Sequence, residues 1–455
     1  MPASDLRQLL RDANPTAEAG LFGPDREIGW REALALTALP EAAAFAGKSA
    51  LISVSSQFDA ARAMLALDGV AASMLVVPPD FKGERLASAM MQARVEGVVH
   101  DDRIEDLGPL VERYALSRSG ADAPLRRAPI CTEWILPTSG TTGAPKLVAH
   151  RLESLTAALA ARDRGAPAPV WSTFYDIRRF GGMQIFLRAV MSGASLVITD
   201  GDEPLSGHID RMARLGVTHL SGTPSHWRRL LMSGEAARIS PRYVRLSGEI
   251  ADRAILDALA KAFPQAKIVH AYASTEAGVG FEVVDGLEGF PACYLDGLPG
   301  VELRIVDGTL RLRSRRRAER YVGAVGFKLV DDDGFVDTDD LVERVNDRIL
   351  FRGRRGGAIN VGGLKVHPEE VEQVINSHEA VRMSRVKARR SPITGDIIVA
   401  DVVLKAVPPE GEVVVRKEIL ASCRARLERH KAPVGVTFVA TLPLSPGGKL
   451  LRGSE

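Results

Sequence analysis

The chain reads as an α/β protein: a large N-terminal domain of layered α/β subdomains with a small β-rich subdomain at its end, followed by a small C-terminal domain. Up to about residue 295, short unbroken apolar runs alternate with stretches of helical periodicity. Continuous rather than alternating apolar strands suit sheets covered by helices on both faces. Beyond that point, residues 300–306 and 308–313 alternate apolar with polar, the pattern of half-buried strands meeting at the Asp307-Gly308 turn. At 352–357 glycine and arginine concentrate, and the pattern restarts as a compact piece of about 100 residues.

Within the first part, residues 50–54, 74–77, 98–99, 196–198, 217–220, 244–246 and 267–269 have the character of buried strands, and 58–67, 152–161, 182–191 and 253–263 that of helices. In the first helix Phe58, Ala61 and Leu65 share a face while Asp59 and Arg62 lie off it. The expected division is residues 1–353, with the β-rich part at about 295–350, and 354–455. The arginine- and glycine-rich 352–357 reads as the hinge, and there is no internal repeat or low-complexity segment.

At 455 residues the chain is too long for one ordinary core. Lys and Arg number 59 against 57 Asp and Glu, a net charge of +2, so nothing global points to nucleic acid or a membrane surface. Cys131, Cys293 and Cys423 have no paired spacing for zinc or a disulfide framework, which fits a reducing compartment. The N-terminus is polar and charged, and no apolar run approaches the ~18 residues a span needs. The expectation is a cytoplasmic enzyme with no nucleic-acid partner and no membrane association.

The most informative segment is Thr138-Ser139-Gly140-Thr141-Thr142-Gly143-Ala144-Pro145-Lys146. Glycines let successive N–H groups approach anionic oxygens, the hydroxyls add donors, and Lys146 adds charge, so the segment suits phosphate. It is not a Walker loop, because Leu147 stands where a Mg²⁺-binding hydroxyl is needed. The bland reading is a Ser/Thr/Gly-rich turn between a strand and a helix.

The order of these residues resembles the phosphate loop of the adenylate-forming superfamily, which includes acyl-CoA synthetases, aryl-CoA ligases, adenylation domains and luciferases. Further motifs follow in the order of that superfamily. His270-Ala271-Tyr272-Ala273-Ser274-Thr275-Glu276 is similar to its aromatic-Gly-x-Thr-Glu segment. The resemblance implies that Tyr272 stacks on adenine, that Ser274 lies with it in the ATP site, that Thr275 meets the α-phosphate and that Glu276 holds Mg²⁺. Ser247-Gly248-Glu249-Ile250 looks like the other wall of the adenine slot, and Asp340 in Thr338-Asp339-Asp340 like the ribose-binding aspartate, with Asp339 in place of a glycine. A charged hairpin turn is the alternative for the acids around 331–340. The stretch 353–372 resembles the hinge and following loop: Arg354 reaches the ribose and Gly362-Gly363 line the thiol tunnel. Gly356-Gly357 replace the usual acidic pair, which implies a looser pivot. Lys449, in Ser445-Pro446-Gly447-Gly448-Lys449, resembles the C-terminal lysine that contacts carboxylate and α-phosphate.

The resemblance implies ATP-dependent conversion of a carboxylic acid to an acyl-adenylate with release of pyrophosphate, then transfer to a thiol, with coenzyme A the first choice. It also implies a mobile α+β lid at the C-terminus. Catalysis would rest on Lys449, Thr275 and Glu276. A stand-alone enzyme loading the phosphopantetheine of an acyl carrier protein is the alternative, and a non-catalytic nucleotide-binding protein a further one, against which the intact Glu276 and Lys449 argue. The acid pocket is expected among Tyr175, Asp176, Arg179, Gly182, His219, Ser221, His270 and Ala271. Asp176 suits a substrate amine, Arg178 or Arg179 a second carboxylate or CoA phosphates, and a surface charge cluster is the third reading. Residues 311–317 and Arg389-Arg390 suit CoA phosphates or an acidic carrier, or are solvated faces.

Overall fold

The computed structural model describes residues 5–101, 112–116, 121–122, 130–138, 145–159, 167–201, 203–323, 328–361, 364–391, 395–406, 409 and 411–451. Two large sheets carry the first part of the chain. In the seven-stranded sheet the order is Arg320–Val322, Leu147–Arg151, Glu133–Pro137, Ser73–Val76, Ser49–Ser53, Gly97–His100 and Glu112–Ala115. The last five run parallel and the first two antiparallel. In the eight-stranded sheet the order is Gly278–Val283, Lys267–Ser274, Tyr243–Ser247, His219–Gly222, Val170–Thr173, Ser195–Val197, Gly20–Phe22 and Glu27–Gly29, parallel except at its two edges.

Helices cover these sheets as continuous apolar strands require. Gln57–Leu67 starts at Ser56, whose hydroxyl accepts the Asp59 N–H, and is buried along its whole length. Phe180–Ser192 stops at Gly193, which takes φ 60° and lies against Pro15. Arg253–Ala262 starts at Asp252, whose carboxylate accepts the Ile255 N–H at 3.0 Å. Of the expected helix at 152–161, Leu152–Thr156 is helical, and 160 and 161 lie outside the described residues. The strand expected at 217–220 is displaced to His219–Gly222. Gly216, at φ 65°, ends the preceding helix, and the Val217 N–H still folds back onto Met212 O, so pairing starts two residues later.

The alternating segment forms a five-stranded antiparallel sheet of Phe290–Pro291, Arg348–Arg354, Val336–Val345, Thr309–Ser314 and Val301–Val306. Asp307 and Gly308 turn its hairpin at φ 50° and 74°, the left-handed pair an Asp-Gly turn supplies. Further on, Gly395–Leu404 pairs with Val381–Ser391, Ile359–Val361 and Gly435–Phe438, backed by the helices Pro368–Asn376 and Glu412–Arg426. This unit has its own core of Val366, Val371, Ile375, Val386, Val402, Ile419 and their neighbours. No helix among the described residues is long and apolar enough to cross a membrane.

Strands Val170–Thr173, His219–Gly222, Tyr243–Ser247 and Lys267–Ser274 all point their C-terminal ends at one rim, the edge at which α/β sheets bind ligands. The turn that ends at Gly278 sits on that rim. Gly278 has φ 75°, and a Cβ there would stand 2.0 Å from Arg316 O. Gly278→Ala is therefore expected to cost at least about 2 kcal/mol in chemical denaturation; an unchanged midpoint would show that the turn has slack.

Candidate active site

Pro137 pairs with Leu147, and the Thr138 N–H donates to Lys146 O at 2.9 Å. The glycine-rich segment is thus the loop of an antiparallel hairpin rather than a strand-to-helix turn. Ser139, Gly140, Thr141, Thr142 and Gly143 lie outside the described residues, as do Gly362 and Gly363. Just past the loop, His150 is fully buried: Nε2 lies 2.7 Å from Thr275 O, Nδ1 lies 3.2 Å from Ser154 Oγ, and the ring stacks on Phe180. Burial pushes its pKa down to about 4, so the ring is neutral and Nε2–H can donate to the carbonyl. This histidine, which no sequence motif singled out, ties the loop's strand to the turn that carries Thr275 and Glu276.

Lys267–Ser274 brings Tyr272 to the rim with a bulge between Tyr272 and Ala273. The Tyr272 hydroxyl donates to Asp340 Oδ2 at 2.5 Å, and its ring stacks with Phe281 and Phe351 at 5.5 and 5.2 Å. Ser274 Oγ accepts the Ala277 N–H at 3.0 Å and so closes the turn around Thr275 and Glu276. Burial raises the Glu276 carboxyl above the usual range, with Arg354 and Lys146 pulling it down. Asp340 behaves likewise: burial raises it, while Arg354, Tyr272 and Lys449 oppose. Arg354 donates from Nε to Asp340 Oδ1 and from a terminal nitrogen to Thr338 O, both at 3.1 Å. Asp339 adopts φ 59° with its N–H on Asp337 Oδ1 at 3.0 Å. Aspartate here supplies the left-handed turn for which a glycine was expected, and the carboxylate of Asp340 stays in place.

The expected acid pocket divides. Tyr175 is buried at the rim, its hydroxyl donating to Ser247 O at 2.6 Å. Ser221 and Ala271 are buried on the same sheet face. Asp176 is held elsewhere: both oxygens accept from Arg178, at 2.8 and 2.7 Å, and Arg178 is buried with its remaining nitrogen on Val54 O and Ser55 O. Gly182 is a packing position, since a Cβ there would stand 2.2 Å from Asp176 O. His219 is not at the rim. Because its strand begins two residues late, it stands at the far end, between Trp171 and Tyr243 at 4.7 and 5.2 Å. His270 points to the opposite sheet face from Ala271, where Nε2 meets Leu287 O at 2.9 Å. Arg179 pairs with Asp80 and has its Cδ 3.6 Å from a Cβ built on Gly447, so it faces the C-terminal loop.

That loop is docked against the rim. Thr223 Oγ1 donates to Gly448 O at 2.6 Å, the Leu450 N–H donates to Glu249 Oε1 at 2.8 Å, and the Lys449 N–H donates to Ser445 Oγ at 3.1 Å. Lys449 Cε lies 3.3 Å from the Cβ position of Gly248, which takes φ 86°. The glycine is needed here for the approach of the lysine. Burial lowers the Lys449 pKa, and Glu249 and Asp340 oppose that. Glu249 also accepts from Ser225 N and Oγ at 2.9 and 3.0 Å. Beside it, a cleft is lined by Arg228, Glu249, Ile250, Asp252, Asn376 and Leu450 among others. Asp340 and Arg354 are thus electrostatic neighbours of both Lys449 and Glu276.

Gly448 leaves no room, since a Cβ would fall 1.8 Å from the His226 ring. Gly448→Ala is expected to lift the loop by roughly an ångström and to lower the denaturation midpoint, and His226→Gly in the same chain to restore part of it. Failure of the second change to help would point away from this contact. Burial also holds His150, His219 and His226 at about 4 and His208 at about 3. All four are neutral in the folded protein where the unfolded chain already binds protons. Stability is therefore unaffected above the unfolded value of 6.5 and falls as pH drops from there towards 4. Denaturation midpoints flat from pH 7 to pH 5 would contradict neutral burial.

Residues 39–319 match the family model for the AMP-binding enzyme and residues 370–449 that for the AMP-binding enzyme C-terminal domain. The chain is 30% identical to a 2-succinylbenzoate–CoA ligase of Salmonella typhimurium over 55% of its length, and spans 53%, about half, of that relative. A probable 2-succinylbenzoate–CoA ligase of Mycobacterium tuberculosis is 28% identical, with 70% of this chain and 82% of that one covered. The crystal structure of the anthranilate CoA ligase AuaEII in complex with anthranoyl-AMP shares the fold, with a TM-score of 0.79 at 18% identity over 99% of this chain and 96% of that one. The chain belongs to the AMP-binding enzyme family and, with it, to the adenylate-forming superfamily.

Proposed function

We propose that the protein is an AMP-forming acid–thiol ligase that activates a small carboxylic acid with ATP and passes the acyl group to coenzyme A. The observation that carries this reading is the seat of Lys449, with its side chain at Gly248 and its electrostatic reach to Asp340. In the first step a carboxylate oxygen bonds to the α-phosphorus and the bond to the leaving pyrophosphate breaks. Lys449 offsets the charge that gathers between carboxylate and α-phosphate, and the Thr275 hydroxyl would donate to the α-phosphate. Tyr272 and Gly248 bound the adenine slot, while Asp340, oriented by Arg354 and Tyr272, takes the ribose hydroxyls. In the second step the thiol sulfur bonds to the acyl carbon and AMP leaves.

Mg²⁺ fits this donor set. No group of three or more His, Cys, Asp or Glu that could hold a metal occurs among the described residues. Glu276 alone suits an ion that takes its other oxygens from phosphates and water. When bound, it would neutralise charge on the pyrophosphate.

Residues 1–353 would then form the nucleotide-binding domain and 354–455 the lid. Gly356 meets nothing within 4 Å of its Cβ position, which suits a pivot. A cytoplasmic setting suits both a CoA acceptor and the free thiols of Cys131, Cys293 and Cys423. The test is ATP–pyrophosphate exchange over a panel of acids, followed by thioester detection with CoA. Lys449→Ala is expected to lower exchange by a factor on the order of 100 to 1,000 while thioester formation from supplied acyl-adenylate survives. Equal loss of both half-reactions would remove Lys449 from this role.

A further inference from the structure

The helix Pro368–Asn376 turns two unlike faces to its surroundings. Val371, Val374 and Ile375 belong to the core of the C-terminal unit. Glu369, Glu372, Gln373 and Asn376, at positions i, i+3, i+4 and i+7, line the cleft beside Glu249 instead. The helix Pro224–Ser233 reaches the same cleft with Ser225 and Arg228. A stripe with this spacing is apolar where two helices pack permanently. Here it is polar throughout, the composition of a contact that opens.

One chain of hydrogen bonds runs through this seam, and every member of it is buried. Arg228 donates to both oxygens of Asp252 at 2.7 and 2.6 Å, Asn376 Nδ2 donates to Asp252 Oδ2 at 3.2 Å, and the Ser384 hydroxyl donates to Asn376 Oδ1 at 2.9 Å. Of these bonds only the one from Asn376 to Asp252 joins the C-terminal unit to the large sheets. When the unit leaves, Asp252 keeps Arg228 and the Ile255 N–H, and Asn376 keeps Ser384. Neither half is left with a lone buried charge, so undocking costs one charge-assisted bond rather than a stranded ion.

The seam is also tied to the loop that carries Lys449. Ser384 adjoins Met383, which clusters with Val403 and Leu442, and Met232 of the helix Pro224–Ser233 packs on that cluster from the other side of the seam. Leu444 and Leu450, either side of the loop's tip, rest on the same cluster. The register of Asn376 on Asp252 therefore fixes where the base of the loop stands. We infer that Asn376 and Asp252, held by Ser384 and Arg228, form a latch that sets how much of the time the C-terminal unit is docked with Lys449 at the rim, and thereby sets the balance between adenylate formation and thioester formation. They are positioning residues, acting on the reaction through the loop. The inference rests on the two-step reading above and adds its control point.

The test is Asn376→Asp in the full chain. This change keeps the volume and the acceptor for Ser384, but sets a second carboxylate against Asp252. Deuterium uptake at the backbone of 449–451 reads docking without turnover, and protection there is expected to fall at least about tenfold. ATP–pyrophosphate exchange is expected to lose kcat by a similar factor with little change in the KM for ATP, while thioester formation from supplied acyl-adenylate keeps or exceeds its wild-type rate. Asp252→Asn in the same chain reverses the crossing bond, still caps its helix, and is expected to restore both protection and exchange. Equal effects on the two half-reactions, unchanged protection at 449–451, or no recovery in the double variant overturns the latch. Wild-type protein that shows no exchange with any acid, yet loses protection in Asn376→Asp and regains it in the double variant, would remove the ligase reading and leave the latch standing.

Discussion

The site is assembled by one contact: the C-terminal loop seated against the N-terminus of the helix Pro224–Ser233. Thr223 caps that helix through its hydroxyl, which accepts the His226 N–H and at the same time donates to Gly448 O. His226 returns the favour through Nδ1 to the Thr223 N–H, which fixes the plane of the ring on which Gly448 lies. Glu249 joins the same helix start, through Ser225 N and Oγ, to the Leu450 N–H. Carboxylates are favoured near helix N-termini, so Glu249 has a stable seat before the loop arrives. A second helix start repeats the logic: Asp252 caps Arg253–Ala262, accepts Arg228 at 2.6 and 2.7 Å, and takes Asn376 Nδ2 from the far side at 3.2 Å. Capping chemistry, required by the helices in any case, doubles as a docking surface.

Around this seat the charges are displaced in a consistent direction. Burial raises the carboxyls of Glu276 and Asp340 and lowers the ammonium of Lys449, each towards its neutral form. The opposing attractions among Lys449, Asp340, Arg354 and Glu276 are insufficient to cancel this. A site in which both signs are under-solvated is poised for a ligand that supplies both, as the proposed ATP with its cation would: Glu276 would hold the ion and Lys449 would face the phosphate oxygens. Preorganised dipoles of this kind need little rearrangement during reaction.

What the sequence made legible was which distant residues share one place in the fold. Tyr272, Thr275, Glu276, Asp340, Arg354, Gly248 and Lys449 are far apart in the chain, and the fold gathers them at one rim. Less legible were features that depend on register. His219 went to the wrong end of its strand because the apolar run at 217–220 does not reveal that Val217 is still bonded to Met212 O. His270 went to the wrong face because one step along a strand reverses a side chain. Asp176 and Arg178 read as free charges, though they satisfy each other two residues apart. That Asp339, in place of a glycine, takes the same left-handed φ is likewise not visible in residue order alone. The bond between Asn376 and Asp252 was hidden for a different reason: periodicity reports apolar faces, and a polar contact between two separate units leaves no trace in it.

The way the loop is held also explains how it can leave. Its seat consists of hydrogen bonds to main-chain atoms and the tight fit of a glycine on an imidazole, with Met383, Val403 and Leu442 forming only a small apolar cluster behind it. Each such bond is exchanged for one to water on opening, so its net strength is about 1 kcal/mol rather than the several kcal/mol of its gross energy. The large cores of the two sheets and of the C-terminal unit are not shared across this seam. Steric precision without large apolar burial gives a contact that is specific in geometry yet reversible, which a lysine needs if it must enter the cleft for one bond-making step and vacate it before the thiol attacks.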